Sequence, residues 1–161
     1  MERLDQDLKT GNFRKLYLLY GDEAYLRLNY KNALTKAIAG WDDMNLNVYE
    51  GRNININALI EQAETMPFFA ERRLIVIENS GLLKGSSEEK LSDYINNMPP
   101  YLYMIIAESE VDKRSRLFKA CQKNGCVAEM VPYDDLKMKR WIAGILKKNG
   151  RKMTENDINY M

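Results

Sequence analysis

Any chemistry in this chain has to be assembled without histidine, which its 161 residues lack entirely. That removes the usual general base for a serine or cysteine nucleophile and the commonest zinc ligand. The cysteines, Cys121 and Cys126, are too few for a metal site. They fall at the end of a predicted helix and the start of the next predicted strand, which predicts small buried thiols in a reducing, cytoplasmic compartment rather than a disulfide. Carboxylates remain: Asp22 and Glu23 follow the run LYLLY and Gly21, and Glu78 with Asn79 follows LIVI. A phosphate-binding loop at the first place needs glycines that let backbone N–H groups approach phosphate, then a lysine and a Ser/Thr for phosphate and Mg²⁺. The stretch YGDEAYLR carries a single glycine and no GK[ST]. Its two acids suit a helix N-terminus and repel a triphosphate. A phosphoacceptor domain would need an aspartate ending the third strand and a lysine after the fifth; Glu78 and Pro132-Tyr133 stand there instead. The expectation is therefore no metal, no cofactor, no small-molecule substrate and a function in binding.

Residues suited to binding are concentrated in TMPFFAERRLIVIEN, Thr65 to Asn79. Pro67 pre-sets a first helical turn, and Phe68 and Phe69 would stand about 100° apart on it. Both cannot point squarely into one core groove, so they either cap the sheet as core or form a knob aimed at a partner. Arg72 and Arg73 read as charge flanking a strand and pairing with Glu71, with steering of an acidic partner as the other reading. A second cluster, Lys113, Arg114, Arg116 and Lys119, with Lys123 beyond, makes a basic helix that contacts DNA or a neighbouring subunit, or is a solvated face. Net charge is +1, so bulk charge names no partner. The C-terminal stretch from Asp134 is locally basic, and Trp141, Ile142, Ile145 and Leu146 recur there at the spacing of a helix core face.

These residues need a scaffold, and the hydrophobic pattern supplies one. Strands are predicted at Leu16–Tyr20, Leu46–Glu50, Leu74–Glu78, Leu102–Ala107 and Cys126–Val131. Helices are predicted from Asp22 to Ala39, around Ile56–Ala63 and ending before Pro67, around Leu91–Met98, and from an acidic cap at Asp112 to Asn124. Strand and helix alternate, which predicts a mainly parallel sheet with helices on both faces; the continuous apolar runs LIVI and LYMII fit strands covered on both sides. A domain boundary is expected near Asp134, with further helices from Leu136 and from Thr154. No run approaches the roughly 18 apolar residues of a membrane span, and the polar start MERLDQDLKTGNF is not a signal peptide.

Four stretches, LYLLYGDEAYLR, TMPFFAERRLIVIEN, VDKRSRLFKA and LKMKRWIAGILKKNGRKMT, resemble in order and spacing the delta subunit of the bacterial DNA polymerase III clamp loader. The resemblance covers the chain from about Phe13 onward. It implies an α/β, AAA+-like fold: a five-stranded parallel sheet with a degenerate nucleotide site over 1–133, then the start of a helical lid domain over 134–161, with the family's collar domain absent. It implies a non-catalytic subunit that acts in DNA replication by binding the sliding clamp (the beta subunit) and opening the ring for loading onto primed DNA. Other loader subunits and DNA are the further partners, and no membrane is involved. The family's clamp-contact positions fall here on Met66, Pro67, Phe68 and Phe69. The best-known members have a leucine before the phenylalanine; Phe68 departs from that pattern, so Phe69 is the firmer transfer. The alternative from the residues alone is a divergent nucleotide-binding α/β domain.

Overall fold

Five short apolar segments pair side by side in one sheet, with its strands all parallel. The structure, a computed structural model, describes residues 2–40, 43–52, 54–67, 71–84 and 89–130; these belong to a unit running Met1–Met130. The elements are α1 (Glu2–Thr10), β1 (Leu16–Tyr20), α2 (Ala24–Ala39), β2 (Leu46–Glu50), α3 (Ile56–Glu64), β3 (Arg73–Glu78), α4 (Glu89–Ile95), β4 (Leu102–Glu108), α5 (Arg116–Asn124) and β5 (Cys126–Glu129), with a 3₁₀ turn at Asp43–Asn45. Strand order is β2-β3-β4-β1-β5. Leu16 pairs with Met104, Tyr17 with Cys126, Leu46 with Leu74 and Arg73 with Leu102.

Side chains alternate across a strand, so each central strand feeds two cores. Leu16, Leu18, Tyr20, Ile75, Ile77, Met104 and Ile106 pack with Leu59 and Ala63 of α3, Leu91 and Ile95 of α4, and Leu117, Phe118 and Cys121 of α5. The alternate residues Tyr17, Leu19, Leu74, Val76 and Ile105 are buried on the face that α1 and α2 cover, as are Leu4, Leu26, Tyr30, Leu34 and Ile38. Each fully buried Leu, Ile or Phe contributes about 1.5–3 kcal/mol. The expected parallel sheet with helices on both faces is what the chain forms.

Four expectations are corrected. The stretch before Phe13 reads as merely polar, yet it forms α1. Leu4 is wholly buried, Tyr17 donates its hydroxyl to Asp7 Oδ2 at 2.7 Å and Tyr30 donates to Asp5 Oδ1 at 2.8 Å, so the acids dock the helix. The helix expected from Asp112 begins at Arg116, because Ser115 Oγ accepts from Phe118 N at 3.1 Å and is the N-cap. Asp112 instead closes the turn before it, accepting from Arg114 N at 2.9 Å, and that donor holds its carboxyl below the usual range. The helix expected from Asp22 starts at Ala24, after Glu23. The fifth strand, expected to run to Val131, ends at Glu129; the boundary near Asp134, the helices beyond it and Trp141 lie outside the described residues.

Both cysteines are free and buried, as their positions predict. Burial pushes the Cys121 thiol up to about 12 and raises that of Cys126. Between an unfolded thiol value near 9.0 and that raised value the folded chain keeps a proton the unfolded chain has lost. Stability must therefore fall as pH rises above about 9, by roughly 1.4 kcal/mol per pH unit from Cys121 alone. Urea titrations at pH 7, 9 and 10 check this, and Cys121→Ala should show a shallower decline.

Candidate functional site

The sheet has two edges of different character. At the carboxyl edge, where ligands enter open parallel sheets, the turn after β1 is closed by protein. Gly21 has φ +125°, and a Cβ there would meet the Met130 carbonyl oxygen at 2.6 Å. Met130 N donates to Tyr20 O at 2.6 Å and Gly21 N to Glu108 O at 3.3 Å, while the Arg27 guanidinium donates to Gly21 O. The Gly21 N–H, a donor that a phosphate at this turn would need, is thus already in use. The nearby acids are also engaged. Glu78, ending β3, is ion-paired with Lys31 of α2. Glu108, ending β4, is buried and accepts from Ser80 N at 3.0 Å, from Gly81 N at 3.3 Å and from the Ser80 hydroxyl.

The basic cluster lies at this same edge. Lys113 places Nζ 5.8 Å from the ring centre of Tyr20, the last residue of β1. Arg114 pairs with Asp112 at 3.2 Å and Arg116 with Glu89 at 3.2 Å; Lys119 is exposed on α5. Two of the four cations are therefore matched by surface acids, pairs worth no more than about 1 kcal/mol each.

The amino edge carries the other candidate. Asn55 caps α3, its side chain accepting from Ala58 N at 3.1 Å, and the helix stops at Glu64 ahead of Pro67. Met66, just past that stop, is 73% exposed, the most exposed large apolar side chain among the described residues. Pro67 is half-buried. Phe68 and Phe69 lie outside the described residues. Arg73, where the chain enters β3, is not the solvated flank its sequence suggests, and Glu71 is not its partner: it is 3% exposed and donates to Thr65 O, Met66 O and the Asn47 side chain. Arg72 stacks its guanidinium on Phe13 and Tyr103, 5.5 and 5.3 Å from the ring centres. Lys15 lies over Tyr103 at 4.9 Å and donates to Pro99 O and Pro100 O. Residues 66–67 and the cluster at 113–119 are thus at opposite ends of strands about 17 Å long, and the structure does not bring them together. Sequence reasoning missed Arg73; the signal was an arginine directly abutting LIVI, in phase with Ile75 and Ile77 and hence aimed at a covered face.

Residues 17–131 match the family model described as DNA polymerase III, delta subunit. The chain belongs to that family. It is 30% identical over 136 residues to the DNA polymerase III subunit delta of Bacillus subtilis strain 168, covering 77% of this chain and 39% of that protein. The solved Bacillus subtilis DNA clamp loader delta protein superposes with TM-score 0.78 at 23% identity, over 99% of this chain and 50% of that one. A DNA polymerase III gamma subunit-related protein of Thermotoga maritima is similar at TM-score 0.59 and 11% identity, over 91% and 51% of the two chains. The Thermotoga maritima RuvB Holliday junction branch migration motor gives 0.53 at 14%, over 91% and 48%. The AAA+-like fold expected from the resemblance is the fold these neighbours share. The delta-family chain described here spans half the length, or less, of the delta proteins it matches. No helix among its described residues is long and apolar enough to cross a membrane.

Proposed function

We propose that this chain is the clamp-binding part of a replicative clamp loader's delta subunit, acting in the cytoplasm through Met66, Pro67, Phe68 and Phe69 to bind the sliding clamp and open its ring for loading onto primed DNA. The observation that carries the proposal is the exposed Met66 at a firmly held helix exit, followed in sequence by Pro-Phe-Phe. A large apolar side chain so exposed packs little against the described residues of its own domain, and aromatic anchors are what dominate small interfaces. Family membership supports the partner.

The subunit works without ATP chemistry of its own: the closed turn at Gly21 and the occupied Glu78 and Glu108 speak for a scaffold that positions rather than reacts. The AAA+-like domain is assigned to 1–133, and 134–161 to the opening of the helical lid. The cations at the carboxyl edge, Lys113, Arg114, Arg116 and Lys119, are assigned to DNA or to a neighbouring loader subunit.

Calorimetric titration of the chain with its cognate clamp is expected to give saturable binding that ATP–Mg²⁺ leaves unchanged. Absence of binding to the clamp overturns the proposal. Saturable uptake of ATP–Mg²⁺ at micromolar concentration would establish the divergent nucleotide-binding domain in its place.

A further inference from the structure

Three successive carbonyls at the exit of α3 are each held by a side chain from the start of a strand. Tyr101 donates its hydroxyl to Glu64 O at 2.6 Å. Arg73 Nε donates to Thr65 O at 2.7 Å, and Arg73 Nη2 to Met66 O at 3.3 Å. The remaining arm of the guanidinium, Nη1, is anchored on Asn47 Oδ1 of β2 at 2.9 Å. The backbone of Arg73 is fixed as well, its N–H donating to Tyr101 O at 2.9 Å. Carbonyls at a helix C-terminus have no partner within the helix and carry its negative dipole end, so a buried cation is stabilised there without a carboxylate. Among the described residues Arg73 is the one buried cation. A planar fork suits this arrangement: three arms reach three acceptors, two at the exit of α3 and one on β2, which an ammonium on a flexible stem holds less well at once.

We propose that Arg73, assisted by Tyr101 and Asn47, is the positioning residue of the clamp contact. Its guanidinium ties the chain leaving α3 to the chain entering β3, so both ends of the 67–72 connection are fixed to the sheet before the clamp arrives. The inference rests on the clamp-contact reading of residues 66–69. Its energetic effect is preorganisation: a connection held in place before binding loses less conformational freedom when it docks. Held between two rigid points, the connection also transmits force between the clamp and the sheet, which ring opening requires.

The test measures clamp affinity and amide hydrogen exchange together in the full chain, for Arg73→Met, Arg73→Lys, Tyr101→Phe and Phe68→Ala/Phe69→Ala. Arg73→Met should weaken clamp binding by about tenfold or more, Arg73→Lys by less, and Tyr101→Phe by about threefold, as expected for lost preorganisation. Exchange should accelerate at the amides of Glu64 to Met66 while Val76 in β3 keeps its protection, a local signature that general loss of stability does not give. Tyr101→Phe keeps its ring and removes only the hydroxyl, so it remains informative where Arg73→Met fails to fold. Affinities within twofold of the parent for the Arg73 and Tyr101 variants, with binding lost in the phenylalanine pair, would overturn the positioning role and leave the contact reading intact. Full binding in the phenylalanine pair would remove the contact reading and this inference with it.

Discussion

Replacing Phe68 and Phe69 together by alanine is expected to abolish most binding to the clamp while leaving the fold's stability within about 1 kcal/mol. Each phenylalanine ring buried in a partner contributes about 1.5–3 kcal/mol by area. Hot-spot effects are not additive, and truncation also changes the free monomer, so the smaller end of the sum is the safer expectation. Even that, about 3 kcal/mol, lowers affinity by a factor of about 100. The single variants should be unequal. Phe69→Ala is expected to carry the larger loss, because the family resemblance places a leucine at the position of Phe68 and a phenylalanine at that of Phe69. Parallel calorimetric titrations of the two single variants and the pair check the order. An equal loss of thermal stability and affinity would instead mark the rings as core.

The second large effect concerns the fold. Gly125→Ala is expected to destabilise the chain by about 3 kcal/mol, the upper part of the range for overpacking a tight interior. Gly125 ends α5, its N–H donating to Cys121 O at 2.9 Å, and leads directly into β5. A Cβ at this position would lie 2.1 Å from the backbone oxygen of Leu16 and 2.8 Å from its Cβ. Leu16 is wholly buried at the start of β1, so the obstacle is backbone in the central sheet rather than the tip of a mobile side chain. The clash pushes β5 off β1 and loosens the pairing of Tyr17 with Cys126. For a chain of this size, 1 kcal/mol corresponds to about 2–4 °C in Tm, so calorimetry should show a fall of roughly 6–12 °C. An unchanged Tm would mean that β5 contributes little to the cooperative unit.

The pattern of alternating strands and helices was legible because it rests on dense apolar runs. LYLLY, LIVI and LYMII are short, apolar and bounded by turn signals, which reads as buried strand rather than helix, and glycine or proline closes most of the intervening helices. What was not legible depends on polar side chains acting at a distance. The docking of α1 is carried by Asp5 and Asp7 meeting hydroxyls of Tyr30 and Tyr17, partners far along the chain that no local period announces. The start of α5 was misplaced because Asp112 and Ser115 are both good caps, and only the fold shows that Asp112 is committed to the turn holding Arg114. The same limitation hid Arg73. Charge beside a strand normally means solvent, and a buried arginine whose partners are main-chain carbonyls and an asparagine leaves no acidic residue in the sequence to reveal it. The absence of a phosphate loop was legible in YGDEAYLR; that Met130, from just past the end of β5, fills the turn and that Arg27 folds back on the Gly21 carbonyl was not.

The amino and carboxyl edges of the sheet thereby take different roles. Nucleotide chemistry on an open parallel sheet would sit at the carboxyl edge, and there this chain has paired acids and a filled turn. At the opposite edge it has a buried fork, stacked cations and an exposed methionine leading into two phenylalanines. That arrangement supports the proposal that the chain holds one short segment firmly against a partner.

The most direct test of that claim places a photoreactive benzoylphenylalanine at position 69, and separately at Tyr25, which is 56% exposed on α2 near the carboxyl edge. Irradiation in the presence of the cognate clamp is expected to join the clamp to the chain carrying the probe at 69 and not to the chain carrying it at 25. Cross-linking at 25 with none at 69 would contradict the account.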